Sequence, residues 1–90
     1  MNTDNNKKDI DELVQSALSR KLYVYNDDIH SFWTVIFTFM RYLGHDPEQA
    51  EQCATLIHNV GKCCVKEDHY DRLYEVQKIF DKLEIKSEIK

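Results

Sequence analysis

The sequence predicts one small α+β domain of three strands and three helices, in the order strand, helix, helix, strand, helix, strand. Three observations predict it. The chain has 90 residues, which is room for a single domain. Two sharply punctuated apolar segments end at its only glycines, Gly44 and Gly61. Short β-branched or aromatic runs stand before, between and after the helical patterns.

The elements follow in order. Residues 1–8 are Asn- and Lys-rich and are expected to be disordered. Ile10, Leu13, Val14, Ala17 and Leu18 recur at helical spacing, so residues 1–20 read as an extension that is flexible or a short amphipathic helix. The folded domain is expected over 21–90. Leu22-Tyr23-Val24-Tyr25 suits a strand, which Asn26-Asp27-Asp28 ends with turn-forming residues. Ser31 is placed to cap a helix over Phe32–Leu43, and Gly44 to close it. Asp46 and Pro47 open the next helix, which carries Ala50, Cys53, Ala54 and Ile57 to about Val60 and stops at Gly61. Lys62 to Lys66 reads as a strand. Asp68 is expected to cap a third core helix with Tyr70, Leu73, Val76, Phe80 and Leu83 on one face. Ile85, Ser87 and Ile89 alternate as a final strand would.

Composition narrows the function. The net charge of -4 gives no phosphate-neutralising face for nucleic acid and no polybasic membrane anchor. The apolar stretch Phe32–Leu43, interrupted by Thr34, Thr38 and Arg41, is too short to span a bilayer. The polar N-terminus has no signal-like apolar core, so the cytoplasm is the expected compartment. Cys53, Cys63 and Cys64 are an odd set without framework spacing and read as free, buried thiols. With His45, His58 and His69 they have no structural-zinc spacing, and no oxyanion hole or third group accompanies a Cys–His pair. Neither a cofactor, a metal nor an enzyme activity is expected.

Two segments carry a more specific signal. Val24-Tyr25-Asn26-Asp27-Asp28 and Ile57-His58-Asn59-Val60-Gly61-Lys62 resemble the strand-end Asn-Asp-Asp and the helix-end His-x-x-Gly-Lys of the ClpS adaptor family. Their separation and the element order from 21 to 90 match as well, and Asp46 and Ala50 fall where the family has an acidic residue and Ala. The resemblance implies a three-stranded antiparallel sheet packed against three helices. It implies an adaptor that binds the free α-amino group and bulky first residue (Leu, Phe, Tyr or Trp) of N-degron proteins. The partner it implies is the N-terminal domain of a Clp AAA+ unfoldase, to which the substrate is delivered for proteolysis. By position, Asn26, Asp27 and His58 would face the α-ammonium, with Asp28 and His30 in support. Phe32, Val35, Met40, Ala54 and Ile57 would line the apolar pocket.

The residue types suit that task. An α-amino group with a reference pKa of roughly 7.7–8.0 is mostly charged at neutral pH. A carboxylate, an amide oxygen and a neutral imidazole are three acceptors for its three N–H donors. This chain also departs from the family pattern. His30 and Ser31 stand where Thr and Pro are frequent, and Phe32 where Met is. Ala54 replaces a longer apolar residue, and Cys63-Cys64-Val65 replaces Cys-Gly-Val. These departures motivate a second reading, a family-fold module that docks on a Clp chaperone or other partner without reading N-degrons.

Overall fold

The computed structural model describes residues 3–90, with side chains from residue 9 onward. Helix α1 spans Thr3–Leu18, and strand β1 spans Ser19–Tyr25. Helices α2 (Phe32–Leu43) and α3 (Pro47–Val60) follow, then strand β2 (Lys62–His69), helix α4 (Tyr70–Lys82) and strand β3 (Ser87–Ile89). The sheet is antiparallel throughout, in the order β2-β1-β3. The expected α+β order is therefore present from β1 onward.

Local chemistry sets the helix ends. The Ser31 hydroxyl accepts the Thr34 N–H at 3.1 Å, and an Asp46 carboxylate oxygen accepts that of Gln49 at 2.7 Å. Each satisfies a first-turn donor that the helix leaves unpaired. Gly61 adopts φ 99°, a left-handed conformation that glycine tolerates without strain. It returns its N–H to the Ile57 carbonyl at 3.0 Å and turns the chain straight into β2.

The core lies between the sheet and α2, α3 and α4. Leu22 and Val24 of β1, Phe39 of α2, Leu73 and Phe80 of α4, and Ile85 are its fully buried large side chains. Each such burial stabilises by roughly 1.5–3 kcal/mol. Phe39 and Phe80 meet at 6.2 Å between ring centroids, joining α2 to α4 across the middle of the domain.

Several sequence expectations change at the sheet. β1 starts three residues before Leu22, and β2 runs to His69 because Ser19, Arg20 and Lys21 pair with His69, Asp68 and Glu67. Asp68 is therefore a strand residue and does not cap α4. Its carboxylate accepts the His69 N–H at 2.7 Å, and His69 takes the cap position without a side-chain bond. Leu83, expected on the buried face of α4, is an exposed C-terminal residue, whereas Ile85 is buried ahead of β3. The register slips opposite Leu22 and Tyr23, which pair with Lys66 and Cys64 and leave Val65 as the extra residue of a bulge. The ring Nε2 of buried His45 donates to the Val65 carbonyl at 2.7 Å. His45 is thus a structural prop of the bulge.

In α1 the backbone is helical from Thr3, and Met1 and Asn2 lie outside the described residues. Ile10, Leu13, Val14 and Leu18 of this helix are exposed. No helix among the described residues is long and apolar enough to cross a membrane.

Candidate functional site

The two segments singled out in the sequence meet in space, and a backbone bond explains why. β1 and β2 are paired up to Tyr25 and Lys62. One residue beyond that pair, the Asn26 N–H donates to the Gly61 carbonyl at 3.0 Å. The turn after β1 is thereby stitched to the C-terminus of α3. Between them lies a cavity of about 260 Å³. That is just under the roughly 300–1,000 Å³ of sites for drug-sized ligands and is suited to a single large side chain.

The cavity has two chemical halves. Asn26, Asp27, Asp28 and His30 of the β1–α2 loop and His58 of α3 form the polar side. Phe32 and Val35 of α2 and Ala54 and Ile57 of α3 form the apolar side. The helical repeat makes this possible. Phe32 and Val35 are three apart on one helix face, as are Ala54 and Ile57 on the other. His58 follows Ile57 and emerges at the rim, where it is exposed.

Of the residues expected here, only Met40 is elsewhere. It packs partly buried against the core and does not line the cavity. It lies eight residues past Phe32, about 12 Å along the helix axis, which is beyond the reach of a pocket at the start of α2. Asp28 and His30, expected in support, both line the wall.

The loop is held by Asp27. Its Oδ1 accepts the N–H groups of Ile29 and His30, both at 2.8 Å, an Asx-turn that fixes the loop geometry. Its Oδ2 lies 2.9 Å from Nδ1 of His30. Partial burial alone would raise the Asp27 carboxyl. The backbone N–H and ring of His30, together with the Ile29 N–H, more than offset this and hold it below the ordinary aspartate range. The other ring nitrogen of His30, Nε2, lies 2.7 Å from the Leu83 carbonyl at the end of α4. Nothing local in the sequence signals this last bond, since its partners are 53 residues apart. By contrast, among the described residues neither the Asn26 side chain nor the His58 ring bonds to protein.

The thiols are arranged differently. Cys53 and Cys63 are buried and Cys64 is half-buried. Burial pushes the Cys63 thiol up to about 12 and raises that of Cys53. A nucleophilic thiol needs the opposite shift. Among the described residues no three His, Cys, Asp or Glu side chains converge on a metal position. A wider hollow beside Glu48, Gln52 and Leu56 is walled by α3 alone.

No curated protein matches this sequence. Among solved structures, that of Agrobacterium tumefaciens ClpS2 bound to L-phenylalaninamide is similar, with a TM-score of 0.64. The likeness covers 80% of this chain and 96% of that one, at 14% identity, and so concerns the fold. A protein-family model described as "ATP-dependent Clp protease adaptor protein ClpS" matches residues 17–87. That span runs from the end of α1 to the start of β3 and takes in both halves of the cavity; the chain belongs to the ClpS family of Clp protease adaptors.

Proposed function

We propose that this adaptor recognises N-degrons, holding a free α-amino group at the polar rim and a bulky apolar first side chain in the cavity. The observation that carries the reading is the join between unpartnered acceptors at Asn26 and His58 and an apolar floor of one-residue size. The α-ammonium would be received by the amide oxygen of Asn26, the free lone pair of the Asp27 carboxylate and the ring of His58. Charge-assisted hydrogen bonds contribute roughly 1.5–3 kcal/mol each, and burying a Leu or Phe side chain a similar amount. After association costs, a micromolar complex follows. The ligand of the Agrobacterium structure, L-phenylalaninamide, pairs a free amine with an aromatic side chain and is the kind of molecule such a cavity suits. Delivery would be to the N-terminal domain of a Clp AAA+ unfoldase, in the cytoplasm, with no chemistry performed by the adaptor.

The test is titration with peptides beginning Leu, Phe, Tyr or Trp, each with a free and an N-acetylated terminus. The reading requires the free forms to bind and the blocked forms to bind more weakly. A second reading, docking on a Clp chaperone without N-degron recognition, is favoured by one observation: three of the four lone-pair positions of Asp27 are already occupied from within. Capture of an unfoldase that survives Asp27→Ala, with no peptide bound by either protein, would select it.

A further inference from the structure

Resting on the N-degron reading, we infer that His30 is the resident cation of the amine site: an imidazolium that serves as counter-ion to Asp27 and makes the site read the first side chain more than the charge of the terminus. The donor count carries this. Nε2 of His30 faces the Leu83 carbonyl at 2.7 Å, and a carbonyl oxygen only accepts, so Nε2 bears a proton. Nδ1 faces Oδ2 of Asp27 at 2.9 Å. That carboxylate already accepts two backbone N–H groups and is in its ionised form, so Nδ1 bears a proton too. Both nitrogens donating at once defines the charged ring.

The surroundings suit a cation. The ring and the Asp27 carboxylate are 13% and 18% exposed, so their pairing is partly shielded from solvent. Leu83 sits at the C-terminal cap of α4, whose outward carbonyls favour positive charge. The titratable neighbours in the cavity wall are Asp27 and Asp28 of the same loop and His58 of α3, while α4 contributes the Leu83 carbonyl with Lys82 and Glu84 beside it in the chain. His30 therefore takes one position on Asp27 that an incoming ammonium would use, and places a like charge next to it. It is a specificity-determining residue. It also ties the amine loop to the far end of α4 and so fixes the polar wall against the core.

The test has two parts. In 15N-edited NMR of the full chain at pH 7, the His30 ring should show protons on both nitrogens. A ring with one unprotonated nitrogen overturns the inference. In parallel, free and N-acetylated Phe-initial peptides are titrated against wild type and His30→Gln, in which the Asx-turn still holds Asp27 but the cation is gone. Affinity for the free peptide should rise roughly fivefold, the scale of removing one nearby like charge from a partly solvated site. Affinity for the acetylated peptide should stay within about twofold, the preference thus widening. Equal changes for the two peptides, or a loss confined to the free one, overturn the inference. Should neither protein bind either peptide, the N-degron reading fails, and the protonation state of the ring decides the inference on its own.

Discussion

The two polar walls of the cavity are built in opposite ways. The loop wall is saturated: Asp27 is bonded to Ile29 and His30, and His30 in turn to Leu83. The α3 wall is open: His58 is exposed at the last turn of its helix and, among the described residues, bonds to nothing in the protein. The contrast separates two tasks that one carboxylate and one imidazole would otherwise share. Asp27 organises the loop first and has one acceptor position to spare, whereas the exposed His58 ring has no protein partner among the described residues. Substitution on the two walls should therefore move different observables.

The largest effect falls on the open wall. His58→Ala should weaken binding of a free-amine peptide by about 10- to 100-fold, the scale of one charge-assisted hydrogen bond. It should leave the thermal midpoint within about 1 °C, because an exposed side chain without partners contributes little. A matching loss of stability would show that His58 has a structural role after all.

On the saturated wall the first effect is on stability. Asp27→Asn should lower unfolding free energy at pH 7 by about 1–2 kcal/mol, through weaker acceptance of two N–H groups and loss of the pairing with His30. The sign with pH follows from the depressed Asp27 carboxyl. Its contribution is complete above the unfolded aspartate value of about 3.9 and is lost as pH falls through the lower folded value. Denaturant titrations of wild type and Asp27→Asn should therefore converge in strong acid. A constant difference down to low pH would break the contrast between the walls.

Two smaller effects bound the site. With iodoacetamide at pH 7.5, half-buried Cys64 should react first, and Cys53 and Cys63 only on unfolding, given their burial and raised thiols. Mass spectrometry of the native protein resolves this, and rapid labelling of Cys63 would reopen a thiol-based activity. Removing α1, residues 3–18, should change peptide affinity by less than about twofold, since its apolar side chains lie exposed and away from the cavity. The cut must stop there, because Ser19 and Arg20 already pair with β2. Impaired delivery by the truncated protein, with affinity intact, would assign hand-off to the extension.

What the sequence revealed follows the range of the interactions involved. Helix ends were legible because their determinants are local: Ser31, Asp46, Gly44 and Gly61 act on backbone groups within one turn. The apolar pairs Phe32–Val35 and Ala54–Ile57 were legible in part for the same reason, through helical spacing, with the resemblance supplying their common destination. Strand limits were not. Nothing near Glu67-Asp68-His69 says that it will be zipped to Ser19-Arg20-Lys21, so Asp68 reads as a cap until its partner is known. The buried His45 bond to the bulge carbonyl of Val65 and the bridge from His30 to Leu83 are likewise products of tertiary packing. Met40 lies against the core, away from the cavity lining, because it is two helical turns past Phe32, a distance that its apolar character alone does not reveal.

Calorimetric titration of the full chain with one Phe-initial peptide, free and then N-acetylated, probes the shared cavity most directly. The free peptide should bind with micromolar affinity and the acetylated one roughly tenfold or more weakly, as loss of a charged donor requires. Equal affinity for the two, or no heat from either, would contradict N-degron recognition.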